Sequence, residues 1–225
     1  VFGANAEMIR QAVNSGKYDD LLEVARGKNP ISSNGGDYTL KIEKRPFTGL
    51  RAGSDGSLIY EDVSFLQEVA EGQVLAEVVP AVAEEDGMTV TGEVVKPRPG
   101  LPGRTLEGSG FAVTDNGTLY RAPALSHVSI VNDQLVVTPV KKVETVPGEE
   151  TLEWEGNVVI TGDITSNVTV NASGSIYVLG RAVAGTYNAG NNILFCNGLR
   201  VTGTIGSVKA KGHVWGLAFE HVEID

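Results

Sequence analysis

Three histidines, His127, His213 and His221, and one cysteine, Cys196, are the side chains of this 225-residue chain best suited to nucleophilic, general-base or metal chemistry. No two of the histidines stand at a metal-ligand spacing on one element, and no cysteine cluster joins them. Cys196 lies in the apolar stretch Ile193-Leu194-Phe195-Cys196 and reads as a small buried side chain. A lone cysteine forms no internal disulfide and implies no oxidising compartment. Nucleophile elbows and phosphate loops are missing, and Gly198, Gly203 and Gly206 lack the dinucleotide spacing. Sugar hydrolases need carboxylates gathered on one face. Between residues 151 and 225 the acids Glu153, Glu155, Asp163, Glu220, Glu223 and Asp225 crowd the two ends and leave the middle nearly empty. We therefore assign no catalytic, metal or cofactor-binding residue and no cofactor. The densest exposed charge is Glu84-Glu85-Asp86, ahead of Gly87; it is a candidate docking site for a basic partner surface.

The formal net charge is −10, which disfavours phosphate backbones and anionic lipid headgroups. A protein partner is expected, without nucleic acid. No basic run offsets the charge; Lys141-Lys142 is the densest basic spot and reads as an exposed strand end. No apolar run approaches the roughly 20 residues of a spanning helix, so no membrane insertion is expected, and no signal-peptide pattern opens the chain. The chain begins at Val1 and stops at Asp225 in mid-repeat, which reads as a fragment of a longer protein.

The elements that would carry these side chains are mostly strands. Glycine numbers 28 and has no collagen period, which points to many turns. Residues 5–27 read as one or two helices, from Met8, Ile9, Ala12 and Val13 and from Leu21, Leu22, Val24 and Ala25, with an interruption at Gly16 and a C-cap at Gly27. Turns at Asn34-Gly35-Gly36-Asp37 and Gly53-Ser54-Asp55-Gly56 precede strands over 38–42 and 58–60. Strands are also expected over 73–79 and over 88–95 after a turn at Glu85-Asp86-Gly87. Others fall near 111–113, and over 128–131 and 135–137 with a hairpin turn at Asn132-Asp133. Prolines keep 96–103 out of any central strand.

From residue 151 the charge thins and the sequence repeats. Asn171-Ala172-Ser173-Gly174-Ser175-Ile176 is echoed by Asn188-Ala189-Gly190-Asn191-Asn192-Ile193 and by Lys209-Ala210-Lys211-Gly212-His213-Val214, with a partial copy at Glu155-Gly156-Asn157-Val158. The closing apolar residues 158, 176, 193 and 214 are 18, 17 and 21 apart. Such steps suit a parallel β-helix, whose coils stack at about 4.8 Å and bury an inward face only against one another. The long third step predicts an insertion near Gly203–Gly206. Val158, Ile164, Val170, Ile176 and Ala182 are six apart, as in left-handed hexapeptide coils, and the spacing then drifts. Tyr177, Tyr187, Phe195 and Trp215 are read as inward or solvent-shielding side chains. In a polysaccharide-binding or polysaccharide-acting protein, the alternative reading, they would line a groove.

In this order the residues resemble the flagellar assembly protein A family. The resemblance runs through Arg26-Gly27-Lys28-Asn29-Pro30, Gly35-Gly36-Asp37, Glu71–Pro80 and Gly87–Glu93. It continues through Gly156-Asn157-Val158, Gly162-Asp163-Ile164 and Ala189–Ile193, and spans roughly residues 20–225. The family's Gly-Asp corner survives here once, at Gly162-Asp163, which argues against a metal ladder of repeated aspartates. The resemblance implies a mainly β chain: an N-terminal helical and β domain, 1–150, followed by a right-handed single-stranded parallel β-helix over 151–225. It also implies a non-enzymatic, cytoplasmic bacterial scaffold or interaction protein connected with flagellar assembly or polar localisation. Self-association through the ends of the β-helix is a further expectation. The run Gly72–Glu77 also resembles half of a biotinyl or lipoyl carrier, but the comparable turn Glu84–Met88 has no lysine.

Overall fold

The computed structural model describes residues 1–16, 23–43, 50–59, 67–203 and 205–225. Two compact units emerge, Val1–Thr39 with Val78–Thr105, and Leu40–Glu77 with Leu106–Asp225.

Among the described residues the smaller unit contains one helix, Ala6–Ser15. Asn5 caps it by accepting the Met8 N–H at 3.0 Å, and Gly16 ends it in the left-handed conformation at φ 62°. The second expected helix does not form in the described residues. Val24–Gly27 is non-helical, Ala25 bridges Ala4, and Lys28 exchanges backbone hydrogen bonds with Met88. Leu21 and Leu22 lie outside the described residues. A four-residue apolar signal is too short to nucleate a helix against such pairing, so the C-cap falls on Gly16 and not Gly27. The single strand expected over 88–95 is instead two short antiparallel strands, Gly87–Met88 and Val94–Val95. The Thr89 hydroxyl accepts the Glu93 N–H and Gly92 takes φ 92°, folding the intervening residues into a turn. The proline-rich stretch stays out of the regular strands.

In the larger unit, strands Ser126–Val131 and Gln134–Val143 form a hairpin around Asn132 and Asp133, both at positive φ as a two-residue turn requires. Strand Gln67–Val69 pairs antiparallel with the first of them. The hairpin's long strand then opens the solenoid: Val140–Val143 pair in parallel with Asn157–Ile160.

From there the chain winds as a β-solenoid of about five turns. Each coil has three sides. On the first, Val158, Ile176, Ile193 and Val214 stand in register, at the 18, 17 and 21 steps read from the sequence. On the second, Leu152, Val170, Tyr187, Val208 and Ile224 are stacked. On the third, Ile164, Ala182, Leu199 and Phe219 succeed one another. The six-residue spacing is thus the length of one side. The extra residues of the third step lie between Leu199 and Val208, around Gly203 at φ 103°.

The inward column is dry. Val158, Ile160, Ile164, Val170, Ile176, Val178, Ile193, Phe195 and Leu199 have no exposed surface and form one core. The first side is buried on its outer face as well: Val159, Tyr177 and Leu194 pack under Leu50, Leu58 and Leu125. The Leu58 N–H donates to the Cys196 carbonyl at 2.8 Å, anchoring that cover.

Candidate functional site

The outer face of the second side has no cover among the described residues, and two outward columns run along it in the parallel register. Between them stand Trp154, Ala172, Ala189 and Ala210, whose side chains pack against the core. On one flank stand Glu153, Asn171, Asn188 and Lys209. On the other, one residue further along each coil, stand Glu155, Ser173, Gly190 and Lys211. Backbone bonds from Ser173, Gly190 and Lys211 to Trp154, Ala172 and Ala189 hold this second flank. On the flanks the two middle coils carry Asn171, Ser173, Asn188 and Gly190, and the first and last carry the longer Glu153, Glu155, Lys209 and Lys211. The result is a trough of about 780 Å³ with a floor of Ala172, Ser173, Ala189 and Gly190.

Its polarity is lengthwise. Both flanks begin with an acid and end with a lysine. Asn188 donates to the Asn171 side-chain carbonyl at 2.8 Å, and Asn171 donates to Glu153 at 3.4 Å, so the middle is neutral and hydrogen-bonded along the column. Lys209 pairs with Asp225 on the following coil. The Trp154 ring lies 5.3 Å from the Lys141 ammonium, and its buried indole N–H has no hydrogen-bond partner among the described residues. Lys141 is therefore half-buried, while its neighbour Lys142 is an exposed strand residue paired with Glu68 at 3.1 Å.

A second polar column is structural. At the corner ahead of the first side, the Asn157 side-chain carbonyl accepts the Ser175 N–H at 2.7 Å. Ser175 Oγ accepts the Asn192 N–H, and Asn192 Oδ1 accepts that of His213 at 2.8 Å. These side chains hold the next coil's backbone in the manner of turn residues. The His213 ring stacks on Trp215 with centroids 5.3 Å apart. The column begins at His127, only 2% exposed, whose Nδ1 lies 3.0 Å from Asn157 Nδ2. The amide can only donate, so Nδ1 accepts. Burial lowers the His127 pKa to about 4; Glu68 opposes that shift and Lys142 adds to it.

The residues singled out in the sequence fall elsewhere. Glu84 is exposed, Glu85 pairs with Lys28 at 2.5 Å, and Asp86 pairs with Lys96 at 2.6 Å. Tyr187 and Phe195 sit in the solenoid core in edge contact, and Tyr177 lies under the cover of the first side. Asp163 pairs with Arg181 and Glu220 with Arg200, on the third side. Cys196 is 3% exposed. Among the described residues, no group of three or more His, Cys, Asp or Glu is placed to hold a metal ion. The trough residues Trp154, Asn171, Asn188, Lys209 and Lys211 were not read from the sequence as a site. The signal was present in the repeats, as an acid in the first copy and lysines in the last at equivalent positions.

Comparison with known families decides the kinship. The model described as the Flagellar Assembly Protein A N-terminal region matches residues 1–133, and that of the Flagellar Assembly Protein A beta solenoid domain matches residues 151–225. The chain belongs to the flagellar assembly protein A family. Neither a curated protein nor a solved structure matches it. The solenoid described above is the beta solenoid domain of this flagellar assembly protein A family member, and membership points to involvement in flagellar assembly. No helix among the described residues is long and apolar enough to cross a membrane.

Proposed function

We propose that this chain is a non-enzymatic scaffold or interaction protein of the bacterial cytoplasm that acts in the assembly or polar placement of the flagellum through a protein partner. The observation that carries the reading is membership of the flagellar assembly protein A family over both matched regions. It is supported by how the solenoid uses its polar groups. Asn157, Ser175 and Asn192 hold successive coils together, and Asp163, Glu220 and Asp225 pair with single cations on neighbouring coils. These carboxylates stand in separate ion pairs, a poor arrangement for two-carboxylate chemistry. The acidic net charge of −10 favours a protein partner over nucleic acid. Self-association through the ends of the solenoid belongs to the same proposal, since a sheet edge offers unpaired donors and acceptors.

Deletion of the gene in a flagellated host tests it, with flagella counted and located by electron microscopy and the strain complemented by the whole chain. Fewer or misplaced flagella, restored on complementation, are expected. Unchanged number and placement would sink the reading.

A further inference from the structure

We propose that the trough on the second side of the solenoid binds an extended peptide segment of a partner protein, with basic residues at one end and acidic residues about four positions away. The inference deepens the interaction-protein reading and rests on it.

The argument is one of charge and length. Glu153 and Glu155 mark one end, Lys209 and Lys211 the other, and they stand on the first and fourth coils. Three coil steps of about 4.8 Å separate the ends by about 14 Å. An extended peptide advances about 3.3 Å per residue, so about four residues join the two charged ends. Lys209 already has Asp225. Among the described residues, Glu155 and Lys211 have no ion-pair partner, and both are exposed. With Glu153, which accepts from Asn171 and forms no ion pair among the described residues, they are the charges left for a ligand.

The middle of the trough fits a peptide backbone. Its floor is alanine, serine and glycine, which lets a chain approach closely. The Asn171 and Asn188 amides run along the wall, able to donate to and accept from peptide groups. Trp154, packed against the core, is part of the lining at the acidic end. A second copy of the same face fits poorly, because two concave troughs face to face enclose a void. A polyuronate also fits poorly: it carries one sign of charge throughout and meets Glu153 and Glu155. A neutral glycan leaves both charged ends unused.

The probe is an acetylated, amidated peptide, Lys-Lys-Ala-Gly-Ala-Glu-Glu, titrated into the whole chain at low ionic strength by isothermal calorimetry. Two companions replace all charged residues by lysine or by glutamate. The wild-type chain is expected to bind the dipolar peptide best, at one site, with binding weakened by salt. Lys211→Glu makes both ends acidic, and Glu155→Lys combined with Glu153→Gln makes both basic; each should cost the dipolar peptide about fivefold in affinity. Each should also switch the preference, Lys211→Glu to the all-lysine peptide and the Glu153→Gln, Glu155→Lys double variant to the all-glutamate one. A switch of preference is not produced by damage to the fold. Absence of saturable dipolar-peptide binding to the wild type would overturn the proposal. So would an order of preference that the variants leave unchanged, or tighter binding of a tetrauronate or a chitotetraose at the same site. The flagellar reading is tested separately by the deletion strain, so failure here is distinguishable from failure there.

Discussion

Replacing Ile176 by alanine tests whether the solenoid is held by its inward column. Ile176 has no exposed surface and lies in register between Val158 and Ile193. The substitution removes about three carbons, a loss of about 2.4 kcal/mol in transfer free energy. The hole is bounded by coils that are pinned to their neighbours by backbone ladders, so it closes poorly. A residual cavity of about 60 Å³ adds about 1.5 kcal/mol, for a total near 4 kcal/mol. Urea unfolding followed by circular dichroism is the assay. With a slope of about 3 kcal/mol/M, the midpoint should fall by more than about 1 M. Ile205→Ala is the control: Ile205 is 68% exposed, and its truncation should stay within about 0.5 kcal/mol. A loss below about 1.5 kcal/mol for Ile176→Ala, or one equal to the control, would refute the argument that one continuous stacked column stabilises the coils.

Three further outcomes follow from the same geometry. Gly190→Ala places a Cβ about 2.0 Å from the Ser173 carbonyl of the preceding coil and should destabilise by about 1–3 kcal/mol in the same assay; neutrality would mean that the coils are spaced more loosely than described. His127 is depressed from 6.5 to about 4 by burial, so unfolding releases it to take up a proton. Its contribution, about 3 kcal/mol, is complete above pH 6.5 and is lost as the pH falls through about 4. His127→Gln should flatten stability over that window, and a native His127 resonance titrating near 6.5 by nuclear magnetic resonance would contradict it. Cys196, 3% exposed beneath the first-side cover, should resist a thiol reagent in the native state and react fully in denaturant; rapid native labelling would show that the cover formed by Leu50 and Leu58 opens readily.

The solenoid was legible because stacking imposes an arithmetic on the chain. An inward residue must recur once per coil, and the steps of 18, 17 and 21 are the registers that the ladders adopt. The insertion before Val208 announced itself in the same way. What was not legible depends on partners distant in sequence. Val24 and Ala25 carry an apolar pattern, yet that stretch is non-helical because Ala4 and Met88 supply bridges and hydrogen bonds there. Residues 87–95 look like one strand until the Thr89 hydroxyl and Gly92 turn it back on itself. The double burial of the first side was written in Val158-Val159-Ile160, Ile176-Tyr177-Val178 and Ile193-Leu194-Phe195, runs without the alternation expected of a half-exposed strand. The sequence does not say that the chain around Leu50 and Leu58 provides the cover.

The trough shows why a binding face on a solenoid escapes a linear reading. Motifs with local spacing, such as a phosphate loop, place their chemistry within one turn of chain. A solenoid face is assembled across coils, so its neighbours are separated by the coil step, and each coil contributes one or two ordinary residues. Glu153, Asn171, Asn188 and Lys209 are unremarkable one by one; in register they form a column running from negative to positive, its first three members joined by hydrogen bonds. The same repeat that hides the column also fixes it. A shift of one residue in any coil would turn Tyr187 or Val170 outward and bury an asparagine, at the cost of an unsatisfied amide in a dry core. The register demanded by the core therefore holds the outward charges in line. A change confined to Glu155 or Lys211 can alter what the trough recognises while leaving the packed column untouched.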